Sequence, residues 1–373
     1  MVTLHKDLFD ILLGYSALII PRHMHFPFQL SFNDVHDFLV KTVLLGHDLP
    51  HLKAYPPSNE YQYTFWKWAI HGLEDMLADE ACIIYNRIYE HFISLLPQGS
   101  EPGGLSTPGP PAQSYVTQYW ATDKSIDDKQ AIVNTAKFRS ATLLESRTTV
   151  EGGTTGLRTW LASQLLAQYL ILHPELITNK RILELGSGSG FLGIIVASLQ
   201  QLDHTYDEGT HASGPIWLTD VNDVVLSRCR DNVQLPCNSS SSHPSLNYCS
   251  LDWSDALNSA ESPLRSILHE EIKPDLILGA DLVFDPCLIP ALVGTLHISL
   301  QHGADAFIAL TVRNEDTVSQ FLHAAEQSLS VLDLDVHFDK RIFLGVSEGQ
   351  LDNEIDVKVF KMRIKQQRVG TCA

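Results

Sequence analysis

The chain has 373 residues, more than one small domain needs and enough for two. Hydrophobic residues make up 44% and charged residues 19%, a balance that excludes disorder as the dominant state. The net charge of −18 splits into −7 over residues 1–130 and −11 over the rest. Both parts are therefore ill suited to neutralising phosphates, and a basic protein partner is expected in place of nucleic acid.

The first apolar run, residues 11–20, is broken by Gly14 and Ser16 and falls short of the ~18 residues that span a membrane. With Asp7 and Asp10 ahead of it, it reads as neither a membrane anchor nor a signal peptide. Ser31 and Asp34 form a capping-box pattern, after which Val35, Phe38, Leu39 and Thr42 recur at helical spacing. An aromatic cluster follows (Tyr61, Tyr63, Phe65, Trp66, Trp68), and Ile84, Ile88, Phe92 and Leu95 line one face of a further helix. Residues 97–114 then pack five prolines and four glycines together, which reads as a linker. The expected division is a helical N-terminal domain over 1–115 and a second domain over 116–373.

In the second part short β runs alternate with helical stretches. Strands are expected at 181–185, 216–219, 246–251, 275–280 and 306–312, with helices at 190–199 and 221–233 between the first of them. Two last β runs, 332–338 and 356–364, leave no room for a helix between them and read as an antiparallel hairpin. The fold class is α/β: a doubly wound, mostly parallel seven-stranded sheet with a terminal antiparallel hairpin, plus the helical N-terminal domain. Six cysteines (82, 229, 237, 249, 287, 372) include no C-x-x-C pair, which points to reduced thiols in the cytoplasm and to no zinc site. His204, His211 and His243 lack ligand spacing and are expected to be solvated, and the sequon at Asn238 has no meaning in a cytosolic protein.

The strongest local signal is Glu184-Leu-Gly186-Ser187-Gly188-Ser-Gly190 at a strand-to-helix turn. Glycines there let a ligand approach the backbone amides, or else simply permit close packing. Phe191 stands where the dinucleotide fingerprint has its third glycine, and Glu184 would repel a pyrophosphate but suits a cationic ligand. Asp220 closes the second strand, placed to accept from ribose hydroxyls or to cap the next helix. Asp252-Trp253 closes the third, where the indole would stack on a purine or fill the core. Asp281-Leu-Val-Phe284 follows the fourth, and helix capping by Asp281 or Asp285 is the structural alternative. Four acids at four successive strand ends lie where a doubly wound sheet binds its ligands.

Together these features resemble the seven-β-strand methyltransferases that use S-adenosylmethionine, and within them the family-16 protein lysine methyltransferases, marked by D-x-x-Y or D-x-x-F after the fourth strand. Thr155-Gly-Leu-Arg-Thr-Trp160-Leu-Ala-Ser, Ala309-Leu-Thr-Val-Arg-Asn314 and a separate helical N-terminal domain resemble the group that modifies eukaryotic elongation factor 2. The resemblance covers about residues 141–364 and implies a cytoplasmic protein-lysine N-methyltransferase. By it, Trp160, Glu184, Gly186, Ser187, Gly188, Asp220, Trp253 and Ala280 hold S-adenosylmethionine, and Asp281 and Phe284 form the lysine entrance. Phe284 stands where many relatives have tyrosine, so no phenol hydroxyl acts here. The chemistry adds that Asp281 is expected to stabilise positive charge arriving on the lysine nitrogen. Residues 1–115 are expected to recruit the protein substrate. Other readings are a methyltransferase for another protein or a small molecule, with the N-terminal region as a lid, and an inactive binding module on the same fold. Asp281-Leu-Val-Phe284 in place of an N-P-P-Y type motif argues against DNA amino-methylation.

Overall fold

The computed structural model describes residues 3–77, 83–96, 113–121, 131–204, 213–258, 262–339, 342–344 and 356–365. Most of the Pro/Gly stretch, Cys82, Cys372, His211 and the side chain of His204 lie outside the described residues. The chain divides into two compact units, Met1–Glu151 with Lys340–Gln350 and Gly152–Asp339 with Leu351–Ala373.

The first unit opens with β1 (Thr3–His5), α1 (Lys6–Ser16), α2 (Phe32–Phe38), α3 (Pro50–Ala54), α4 (Asn59–Met76) and α5 (Asn86–Ser94). Helix α2 starts where the capping pattern predicts, Ser31 Oγ accepting from the Asp34 amide at 3.2 Å. The Tyr61 hydroxyl donates to the carbonyls of Gly14 and Ile19, at 3.0 and 2.8 Å, and so staples α4 to the end of α1. Then come β2 (Ser114–Ala121), β3 (Ile132–Asn134) and β4 (Phe138–Glu145). β1 pairs with β3 and β2 with β4, both antiparallel. Phe9, Leu12, Leu39, Phe65, Trp66 and Tyr119 belong to one buried cluster, each large apolar side chain contributing about 1.5–3 kcal/mol. This unit is therefore a mixture of helices and strands, not a helical domain alone. Its edge falls at residue 151 and not at 115, because β2 pairs along its whole length with β4.

The second unit holds α6 (Leu161–Leu172), β5 (Ile182–Leu185), α7 (Phe191–His204), β6 (Ile216–Asp220), α8 (Asp223–Val233), β7 (Leu246–Ser250), α9 (Pro263–Ser266), β8 (Leu276–Ala280), α10 (Ile289–Ser299), β9 (Asp305–Thr311), α11 (Glu315–Glu326) and β10 (Leu329–Leu334). The two-residue β11 (Phe343–Leu344) pairs with β2 of the first unit's sheet, and β12 (Val357–Ile364) returns to the second. The large sheet runs β10-β12-β9-β8-β5-β6-β7, with β12 antiparallel to both neighbours and the other pairs parallel. Numbering its seven strands along the chain gives the order 3-2-1-4-5-7-6. All four residues of β5 are buried, as a central strand covered by helices on both faces requires. Strand order reverses between β5 and β8, which opens a crevice at their carboxyl ends.

Two expectations change. β10 spans 329–334 and not 332–338, its register running from Leu329 opposite Ile364 to Leu334 opposite Val359. Beyond it, the buried Gln168 amide donates to the His337 carbonyl (2.7 Å) and accepts from the Asp339 amide (2.6 Å), which holds residues 337–339 out of the sheet. His243 is buried, not solvated: Nε2 lies 2.9 Å from Gln200 Oε1, and Nδ1 accepts from the Ser245 amide. Asn238 is buried too, its amide donating to the Asn232 carbonyl. Among the described residues no helix is long and apolar enough to cross a membrane.

Candidate active site

The turn after β5 lies at the reversal point. Gly186 and Gly188 have φ of +60° and +54°, the left-handed region that residues with a Cβ rarely adopt. A Cβ at Gly186 would come within 2.7 Å of Leu282 Cδ2, and one at Gly188 within 3.1 Å of the Gly156 carbonyl. The third glycine differs in role: a Cβ at Gly190 would meet Val233 and Cys229 of α8, so this residue serves helix packing. Ser187 locks the turn to β6, its amide donating to the Thr219 carbonyl (2.8 Å) and its Oγ accepting from the Thr219 amide (3.0 Å).

One cavity brings together Trp160, Glu184, Gly186, Ser187, Gly188 and Ala280. Sequence reasoning gave no individual role to its other lining residues, Arg158, Thr159, Ser163, Ser189, Phe191 and Leu192. Asp220 and Trp253 flank the turn without lining this cavity. A Gly188 backbone hydrogen bond reaches the Asp220 carboxyl, and the Trp253 ring edge lies 3.7 Å from where a Gly186 Cβ would sit. Ala280 pairs with Ala309 at the end of β8 and walls the cavity with its methyl group.

The four strand-end acids separate into three roles. Glu184 is buried, and desolvation raises its pKa to about 8, with the nearby Asp220 charge adding to the rise and the Ser187 hydrogen bond opposing it. Burial also pushes Asp220 up, although the amides of Asn222, Gly188 and Val221 oppose this. Among the described residues neither acid has a lysine or arginine in ion-pair contact. Asp220 does not cap α8: Asn222 does, its Oδ1 accepting from Val224 and Val225. Asp252 does cap, accepting from the Ser254 amide at 2.8 Å. Asp281 does not cap the helix that follows it. The short helix after it is capped by Asp285, and the Asp281 carboxylate turns toward the end of β9. There Oδ1 accepts from the Thr311 amide (2.7 Å), and Oδ2 accepts from the Thr311 hydroxyl (2.9 Å) and Arg313 Nη2 (3.2 Å). Its side chain is only 6% exposed, and both oxygens are engaged within the protein. Phe284, three residues on, is 60% exposed.

The fit to S-adenosylmethionine rests on the donor set. Glycines keep side chains out of the approach to the turn, and a buried acid and a partly buried one without an ion-pair partner suit a ligand that carries an ammonium group and ribose hydroxyls. A 3-2-1-4-5-7-6 sheet with this turn at its reversal point is a doubly wound fold that receives its ligand in the crevice at the strand ends. The chain belongs to the lysine methyltransferase family, whose sequence profile matches residues 140–328.

Among its relatives, the protein-lysine N-methyltransferase EFM3 of Chaetomium thermophilum is 31% identical over 69% of this chain and 66% of its own length. The human protein-lysine N-methyltransferase EEF2KMT is 30% identical over 49% of this chain and 53% of its own. The chain thus spans less than two thirds of either relative. The mouse EEF1A lysine methyltransferase 3 is 27% identical over 56% of this chain and 72% of its own length. Of solved structures, magnesium protoporphyrin IX methyltransferase from Synechocystis with bound SAM superposes with a TM-score of 0.32 at 10% identity, over 55% of this chain and 78% of that one.

Proposed function

We propose that the protein transfers a methyl group from S-adenosylmethionine to a lysine of a cytoplasmic protein, and that this protein is elongation factor 2. The observation that supports the chemistry is the single cavity uniting Trp160, Glu184, the Gly186–Gly188 turn and Ala280 at the carboxyl ends of β5 and β8. The substrate rests on the relatives above, whose names point to elongation factors. A cytoplasmic setting agrees with the reduced thiols of Cys229, Cys249 and Cys287.

When bound, S-adenosylmethionine supplies an electrophilic methyl group on a sulfonium. Glu184 would accept from the ligand's ammonium group, the glycine turn would bring its backbone against the amino-acid portion, and Asp220 would take the ribose hydroxyls. Trp253 would provide a face for the adenine, and Ala280 would keep the reacting end free of bulk. The lysine must arrive neutral, and with a pKa of about 10.4 its deprotonation at pH 7 costs about 5 kcal/mol. Desolvation in an apolar entrance lowers that cost, whereas an unpaired carboxylate would raise it. Pairing Asp281 with Arg313 removes such a charge from the entrance. The exposed Phe284 ring offers cation–π attraction to the methylated product. Replacing Phe284 with alanine is expected to lower kcat/KM for the protein substrate about tenfold and leave S-adenosylmethionine affinity unchanged, as steady-state kinetics and calorimetry will report.

The first unit recruits the substrate in this reading. Purified elongation factor 2, incubated with the protein and S-adenosylmethionine, is expected to gain methyl groups on one lysine by peptide mass spectrometry. Hydrogen exchange in the first unit should slow on mixing. Methylation of elongation factor 1A alone would refute the substrate, and unchanged exchange in the first unit would refute the recruiting role.

A further inference from the structure

Trp160 meets two guanidinium groups. Arg313 Cζ lies 4.8 Å from its ring centroid and Arg158 Cζ lies 5.7 Å from it. The indole also donates from Nε1 to the Thr155 carbonyl at 3.2 Å. Trp160 is the residue before α6 and lines the cavity, so the placement of its ring shapes one wall.

Arg313 is half exposed, and a long arginine side chain in that setting loses rotamer freedom when it is fixed. Asp281 supplies the fixation. Thr311 holds both carboxylate oxygens, Arg313 takes Oδ2, and the Asp281 amide donates to the Ala309 carbonyl at 2.8 Å. Asp281 has φ of +54°, a conformation uncommon for a residue with a side chain. A buried carboxylate thus orients a guanidinium, and the guanidinium packs on the indole that walls the cavity.

We propose that Arg313 is a positioning residue: it holds Trp160 in the orientation that receives S-adenosylmethionine, and Asp281 acts on the cofactor site through Arg313. This rests on the reading that the cavity takes S-adenosylmethionine. Without the indole, the Arg313–Asp281 pair would have no bearing on that site. Coupled to Trp160, it makes the wall of the cofactor cavity depend on a residue beyond the end of β9.

The test is a double-mutant cycle read by calorimetric binding of S-adenosylmethionine, with no turnover needed. Arg313→Met is expected to weaken binding about tenfold, and Arg313→Lys, which keeps a cation near the ring, about threefold. In a Trp160→Leu background, Arg313→Met should change affinity by less than about twofold. Asp281→Asn should weaken binding in the same direction, and its effect too should shrink in the Trp160→Leu background. Wild-type affinity in Arg313→Met, or an effect of Arg313→Met as large without the indole as with it, overturns the proposal. So does an Asp281→Asn protein that loses kcat while binding S-adenosylmethionine normally, since that assigns Asp281 to the substrate amine. Because Arg313 is half exposed, its variants should fold even where Asp281→Asn does not. Failure of the unsubstituted protein to bind S-adenosylmethionine would instead overturn the functional reading beneath it.

Discussion

Replacing Glu184 with glutamine is expected to weaken S-adenosylmethionine binding by about 10²-fold or more while making the ligand-free protein more stable. The two effects share one cause. Glu184 is buried and desolvated beside Asp220, and its pKa stands at about 8. In the unfolded chain the same carboxyl titrates near its ordinary value of about 4.3. Because the folded pKa is the higher one, the folded state holds this proton more tightly. Stability contributed by the group is therefore complete below about pH 4 and is lost as pH rises toward 8. The penalty reaches about 5 kcal/mol above pH 8. Glutamine never ionises, so the variant's gain in melting temperature should grow between pH 5 and 8 and then level off.

A cation beside Glu184 reverses the balance. An ammonium group favours the carboxylate, so binding below pH 8 should release a proton, and affinity should rise with pH up to about 8. Calorimetry in buffers of different ionisation enthalpy will count that proton, and the Gln variant should release none from this site. An enzyme whose affinity is flat from pH 6 to 8 would place the ammonium group elsewhere.

The parts of the site legible in the sequence are those set by local backbone geometry. Glycines at 186 and 188 announce a turn that only they can make, and the crevice location follows from strand alternation. The fates of the acids were not legible in the same way. Asp220, Asp252 and Asp281 each end a strand with a capping residue type. Which of them caps depends on neighbours: Asn222 relieves Asp220 of the task, and Asp285 relieves Asp281. Asp281 is then claimed by Thr311 and Arg313 from the adjacent strand, a partnership that only sheet register creates. Arg158 and Arg313 stood inside segments that carried the family resemblance, yet nothing local ties Arg313 to Trp160.

The strands of the first unit were missed for a comparable reason. Tyr115, Val116, Thr117, Tyr119 and Trp120 form an aromatic and β-branched run that does signal a strand, directly after the Pro/Gly stretch. Its partners β4 and β11 lie about 25 and 225 residues away in the chain, distances over which periodicity carries no information.

Gly188→Val is expected to abolish S-adenosylmethionine binding, and the structure supplies two independent reasons. At φ of +54°, valine would sit in the left-handed region, where a β-branched side chain is strained by about 1–3 kcal/mol. Its Cβ would also lie 3.1 Å from the Gly156 carbonyl, and that backbone cannot swing aside as a flexible side chain can. The turn must therefore shift, or the segment before α6 must retreat, and Arg158, Thr159 and Trp160 of the cavity wall go with it. Either displacement moves the backbone amides that should face the ligand. Gly188→Ala keeps both the positive-φ penalty and the Cβ contact but adds no branch, so binding should fall about tenfold without vanishing. The control is Gly190→Ala, which also carries a positive-φ penalty (φ of +90°) but whose new Cβ presses on Val233 and Cys229 of α8. That variant should lose thermal stability and keep most of its affinity. Calorimetry paired with thermal unfolding distinguishes the three, and wild-type affinity in Gly188→Val would remove the cofactor from this turn altogether.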